Sequence, residues 1–125
     1  MAKTILVADD EPNIARLVQM SLERHGYTVV TAPDGREALK QVAGSRPDLI
    51  ILDVMMPHVD GFEVLNRLKS DPNTSSIPVI MMTVKARDAV SFEASERGAA
   101  AFLWKPVNPV DLITTVDLVL SVTKP

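Results

Sequence analysis

Five short apolar runs alternate with five amphipathic segments of helical length, and this alternation leaves few folds open to the chain. The runs predict strands at 4–8, 28–31, 48–53, 77–83 and 100–103. The segments between and after them predict helices at roughly 12–25, 34–44, 61–70, 86–97 and 109–121. Strict alternation of this kind implies an α/β fold, a parallel sheet covered by helices on both faces. Runs such as Leu49-Ile50-Ile51-Leu52 are apolar at every position, as strands buried on both faces require. Local signals support the boundaries. Pro12 suits a first helical turn, where a missing N–H costs little, and Gly26 follows the end of that helix. Asn108-Pro109 reads as an N-cap and first turn, and residues 70–76 form the longest polar loop.

The helical faces differ in what they can bury. Ile14, Leu17, Val18 and Leu22 form one stripe of the first helix, and Ala38, Leu39 and Val42 one of the second. The fourth helix offers mostly Ala86, Ala89, Val90 and Ala94, so it is expected to be the least firmly anchored. The length of 125 residues fits a single domain over 1–125, and 46% hydrophobic content suffices for a core. Absence of cysteine removes disulfides, thiolate catalysis and thiolate-bound zinc, and suits a reducing cytoplasm. His25 and His58 have no paired spacing and read as solvated positions. No signal peptide is visible, no apolar run approaches a membrane span, and no output domain is expected past the last helix. A net charge of −3 disfavours binding to a phosphate backbone.

The polar residues at strand ends carry the chemistry. Asp9 and Asp10 follow the first strand, Asp53 ends the third, Thr83 the fourth, and Lys105 follows the fifth. In open α/β sheets, sites collect at these carboxyl ends. Carboxylates about 5 Å apart repel by roughly 3 kcal/mol at an effective dielectric near 20, which a divalent cation would relieve. An all-oxygen pocket suits Mg²⁺. One carboxylate can accept a phosphoryl group, whose oxygens a hydroxyl and an ammonium can contact. Taken singly, these residues have plainer readings: Asp9-Asp10 as a helix cap, Thr83 as a strand residue, Lys105 as a surface charge, and Met55-Met56 as packing. Their joint spacing is what argues for a site.

The motifs Ile5-Leu6-Val7-Ala8-Asp9-Asp10-Glu11-Pro12, Asp53-Val54-Met55-Met56-Pro57 with Asp60-Gly61, Met82-Thr83 and Lys105-Pro106 run the length of the chain. With them the chain resembles a bacterial two-component response-regulator receiver domain, of the chemotaxis-regulator type. The resemblance implies a flavodoxin-like (βα)5 fold, doubly wound, with strand order 2-1-3-4-5. It implies that Asp53 accepts a phosphoryl group from a sensor histidine kinase or a histidine phosphotransfer protein. Asp10, Asp53 and the Met55 backbone carbonyl would bind Mg²⁺ (or Mn²⁺) directly, and Asp9 through water. Lys105 would pair with the phosphoryl group, ahead of a cis bond to Pro106. Thr83 would move toward the group, and Phe102 would turn inward as the aromatic switch. Such a domain is not an enzyme beyond its own phosphorylation and dephosphorylation.

Several residues depart from the pattern. Val84 replaces a usually small residue and is expected to narrow access to Asp53. Met55 cannot orient a hydrolytic water, and Lys85 is placed to shield the phosphoryl group, so a moderately long-lived phosphoryl state is expected. Trp104 shares a strand face with Phe102. Phe92 falls off the inward stripe of the fourth helix, and Leu118 and Val122 off the Leu112/Val116/Val119 stripe of the last; with the bulky Trp104 they predict an apolar docking or homodimer surface over the fourth helix, fifth strand and fifth helix. Three other classes compete with a switch that binds a downstream protein. A Mg²⁺-dependent phosphohydrolase would need an acid–base group beside the nucleophile, where Val54 and Met55 stand. A flavodoxin-like cofactor binder would need a phosphate loop where Asp9-Asp10-Glu11 would repel phosphate. A receiver used only for docking or dimerisation would not need the complete site. No nucleic acid and no membrane partner is expected of the domain.

Overall fold

The computed structural model describes residues 2–56, 59–83 and 98–122. Its elements run β1 (Thr4–Ala8), α1 (Pro12–Arg24), β2 (Thr28–Ala32), α2 (Gly35–Gly44), β3 (Leu49–Asp53), α3 (Gly61–Ser70), β4 (Val79–Thr83), β5 (Ala101–Trp104) and α4 (Pro109–Val122). The predicted helix over 86–97 lies outside the described residues, together with Pro57, His58, Val84, Lys85 and Phe92.

All five strands are parallel, in the order β2-β1-β3-β4-β5. Strand alternation divides the core in two. Leu6, Ile50, Leu52 and Met81 face Ala38 and Val42 of α2 and Val64, Leu65 and Leu68 of α3. Ile5, Val7, Ile51 and Met82 face Val18 and Leu22 of α1 and Leu112, Val116 and Val119 of α4. Each fully buried Leu or Ile contributes roughly 1.5–3 kcal/mol. The fold is therefore doubly wound, and every strand ends at the same edge of the sheet.

Caps explain where the helices begin. Asp34 Oδ1 accepts the Glu37 N–H at 2.9 Å, and Asp60 Oδ1 accepts the Glu63 N–H at 2.9 Å. Asn108 Oδ1 accepts the Val110 N–H at 2.8 Å. Each cap is worth about 1 kcal/mol. α1 starts at Pro12 and has no side-chain cap. Gly26, with φ 96°, takes the left-handed turn after its end.

Several expectations are corrected in detail. Leu17 is 44% exposed, and Ala15 takes its place inside because the inward face of α1 is centred on Ala15, Val18 and Leu22. β3 begins at Leu49, because Asp48 turns its carboxylate to the Thr4 N–H at 2.8 Å. β4 begins at Val79, after Pro78, which has no N–H for the ladder. β5 is shifted by one residue from the expected 100–103, starting at Ala101 and including Trp104. His25 is exposed but not merely solvated: its Nε2 lies 3.1 Å from Asp117 Oδ2 on α4. The same carboxylate accepts the Tyr27 hydroxyl, so α4 is tied to the α1–β2 turn.

Candidate functional site

Four strands deliver the polar residues to one point. Asp9 leaves β1 with its N–H on the Ala32 carbonyl at 3.1 Å, and its side chain is buried. Asp53 is the buried last residue of β3, between β1 and β4. Thr83 is the fully buried last residue of β4, and its carbonyl accepts the Lys105 N–H at 2.9 Å. Lys105 follows β5 and is joined to Pro106 by a cis bond, as the resemblance implies. Asp10 is exposed beside Asp9.

Lys105 Nζ is the hub. It lies 2.9 Å from Asp9 Oδ2, 3.2 Å from Asp53 Oδ2 and 3.1 Å from Glu11 Oε1, with its side chain only 7% exposed. Burial works against its charge, but Asp9, Glu11 and Asp53 outweigh burial and hold it above the ordinary lysine range. Asp53 is pushed up to about 6, first by burial and then by the Asp9 charge. Lys105 and the Met55 N–H, which donates to Asp53 Oδ1 at 3.2 Å, offset part of that rise.

The carboxylates suit a hard dication. One oxygen from each of Asp9, Asp10 and Asp53 fits within 4.8 Å of the others. Asp9 Oδ2 is buried and receives no aligned hydrogen bond, although Lys105 lies close enough for charge contact. All the donors are oxygen, and among the described residues the Lys105 ammonium, in contact with Asp9, Glu11 and Asp53, is outnumbered by the carboxylates. That donor set and that excess of negative charge fit Mg²⁺ or Mn²⁺.

Glu11 is one site residue that sequence reasoning missed. Its N–H closes a turn on Asp9 Oδ1 at 2.9 Å, which aims its carboxylate at Lys105. It occupies the N-cap position of α1, and its side chain serves the lysine instead of the helix. No local signal joins two residues 94 positions apart. Gly61 is a second such residue. A Cβ there would lie 2.3 Å from the Asp53 carbonyl oxygen, so glycine lets α3 start against the end of β3.

The remaining predicted residues are dispersed. The Met55 side chain is 52% exposed, whereas Met56 packs in the core. The Phe102 and Trp104 rings are stacked, with centroids 5.7 Å apart and planes 10° off parallel. Leu118 and Val122 are exposed on α4 at 61% and 68%, away from the site. Val84, Lys85 and Phe92, given roles in access, lifetime and docking, lie outside the described residues. No helix among the described residues is long and apolar enough to cross a membrane.

Comparison with known proteins agrees with this geometry. The family model described as the response regulator receiver domain matches residues 5–117. The alkaline phosphatase synthesis transcriptional regulatory protein PhoP of Bacillus subtilis is 42% identical over 120 residues, which cover 96% of this chain and 49% of PhoP. The chain thus spans about half the length of that relative. Protein PilH of Pseudomonas aeruginosa is 33% identical over 94% of this chain and 97% of its own. The crystal structure of a putative response regulator from Chloroflexus aurantiacus superposes with a TM-score of 0.93 at 32% identity, covering 97% of this chain and 99% of that one.

Proposed function

Because the chain belongs to the response regulator receiver domain family, we propose that residues 1–125 form one receiver that acts in the cytoplasm as a phosphorylation-operated switch of a two-component phosphorelay. Asp53 is the acceptor. Its carboxylate oxygen attacks the phosphorus of a phosphohistidine on a sensor kinase or phosphotransfer protein. The P–N bond breaks, and its electron pair leaves with the imidazole. Asp10, Asp53 and the Met55 carbonyl would hold Mg²⁺, and Asp9 would act through water. The ion would neutralise the carboxylates and the charge of the transferred group. Lys105 exchanges its contact with Asp53 for one with a phosphoryl oxygen. Thr83 closes from the β4 side, and Phe102 turns as it moves. The outcome is a changed surface around β5 and α4 for a protein partner or a second copy, with no nucleic acid or membrane bound by this domain. The domain catalyses only its own modification and its reversal. Met55, Val84 and Lys85 set access and lifetime.

One observation carries this reading: Asp9, Asp10 and Asp53 converge on one point, Asp9 and Asp53 buried and Asp10 exposed, with an ammonium 3.2 Å from the proposed acceptor. Intact mass after incubation with acetyl phosphate and Mg²⁺ tests it. The expected gain is one phosphoryl group, dependent on Mg²⁺ and absent in Asp53→Ala. A gain that persists in Asp53→Ala would assign the acceptor elsewhere. No gain from acetyl phosphate or from a phosphorylated histidine kinase would overturn the reading.

A further inference from the structure

The ladder between β4 and β5 places Thr83 opposite Trp104 and Met81 opposite Phe102. Residues paired across a parallel ladder share a face, and successive residues alternate. Met81 lies in the core cluster on the α2 and α3 side, and Phe102 packs against that cluster. Met82 and its partner Leu103 belong to the opposite one. Thr83 and Trp104 therefore stand side by side on the α2 and α3 side, two residues beyond Met81 and Phe102. Thr83 is fully buried, whereas Trp104 and Phe102 are half-buried. The two rings lie nearly parallel at 5.7 Å, within the range of favourable offset stacking. They border a surface groove of about 410 Å³, whose far wall includes Asp111, Thr114 and Thr115 of α4.

We infer that Trp104 is a positioning residue of the switch, standing between Thr83 and Phe102 and holding Phe102 in the conformation of the unmodified protein. The inference rests on the receiver reading above and adds a part to it. A displacement of Thr83 toward Asp53 vacates volume beside the Trp104 ring, because the two residues are ladder neighbours. The Trp104 ring shifts into that volume, the stack loosens, and Phe102 is released. The groove against α4 changes shape as the rings move, which carries the event from a buried hydroxyl to a surface. On this account the stack stabilises the unmodified state, and its loss raises the basal population of the modified-like state. An aromatic pair of this kind is worth a factor of about two to ten in such an equilibrium.

Trp104 is the only tryptophan of the chain, so its emission reports on this position alone. The whole chain is titrated with beryllofluoride and Mg²⁺, a stable mimic of the aspartyl phosphate, and its mass is followed separately with acetyl phosphate. Emission is expected to shift in the native chain, to stay fixed in Asp53→Ala, and to lose at least about half its shift in Thr83→Ala. With fluorinated phenylalanine, assigned at Phe102 by Phe102→Leu, Trp104→Leu is expected to raise the modified-like population of Phe102 several-fold without beryllofluoride. Trp104→Phe, which keeps a flat ring, changes that population less than about twofold and guards against a folding defect in the leucine variant. If the chain gains a phosphoryl mass but the emission does not move, the inference falls and the receiver reading stands. If both tryptophan variants leave the Phe102 spectrum as in the native chain, Trp104 only packs, and the inference falls. If the chain gains no mass from acetyl phosphate or from a phosphorylated histidine kinase and shows no emission change, the receiver reading falls and the inference with it.

Discussion

Asp117 shows how much a single carboxylate can organise away from the site. It accepts the Tyr27 hydroxyl and lies 3.1 Å from His25 Nε2. Tyr27 is pushed up to about 12, by burial first and then by its bond to Asp117 and the charge of Asp117. The folded protein therefore holds the phenolic proton more tightly than the unfolded chain does. The stabilisation is complete below pH 10.0, the ordinary tyrosine value, and is lost as the pH rises through about 12. Tyr27 is the only tyrosine, so phenolate absorbance follows it without assignment. In Asp117→Asn the midpoint is expected to fall toward 10.0 without reaching it, because burial persists. An unchanged midpoint would remove Asp117 as a cause. This pairing was not legible in the sequence. Tyr27 and Asp117 are 90 residues apart, and both read locally as ordinary positions near a helix end and on a helix face. Asp9, Asp10, Asp53, Thr83 and Lys105 were legible because each stands at the end of an apolar run and the fold brings such ends to one edge.

At the scale of elements, close approach of backbone fixes the junction of β3 and α3. In Gly61→Ala the new Cβ would sit 2.3 Å from the Asp53 carbonyl and 2.9 Å from Val54 Cα, both backbone atoms that cannot swing aside. Urea unfolding is expected to show a loss of about 1–3 kcal/mol. Phosphoryl uptake by Asp53 is expected to slow as its backbone is displaced. Gly44→Ala is the matched control. Nothing lies within 4 Å of a Cβ at that helix end, so a gain of about 0.4–1 kcal/mol is expected. Equal effects at the two glycines would show that the contact at Gly61 is relieved without cost. Hydrophobic patterning located every described element, since full burial of β3 and β4 leaves an unbroken apolar run. It could not place element ends set by individual groups, such as the Asp48 carboxylate or the missing N–H of Pro78. Strand order came from the resemblance, because β1 and β3 read alike as central strands. The α1 stripe misplaced Leu17 because leucine and alanine compete for the inward position, and burial favoured Ala15.

For the molecule as a whole, the cluster of carboxylates at the site is expected to link stability to divalent cation. Any ligand that binds only the folded state raises stability by mass action, by about 2.7 kcal/mol at a hundredfold excess over its Kd. Mg²⁺ is expected to raise the melting temperature reversibly, and a chelator to undo the gain. In Asp10→Asn, which removes a carboxylate from an exposed position, the gain should largely disappear while the metal-free melting temperature changes little. A gain of equal size in that variant would place the cation elsewhere. The Met55 position has a consequence of another kind. Its backbone N–H is committed to Asp53, while its side chain is more than half exposed. The contact falls to an atom that every residue except proline possesses, and the side chain takes no part in it. A side chain of different size or charge at this position would change what lies beside the Asp53 carboxylate and leave the backbone bond that holds that carboxylate in place.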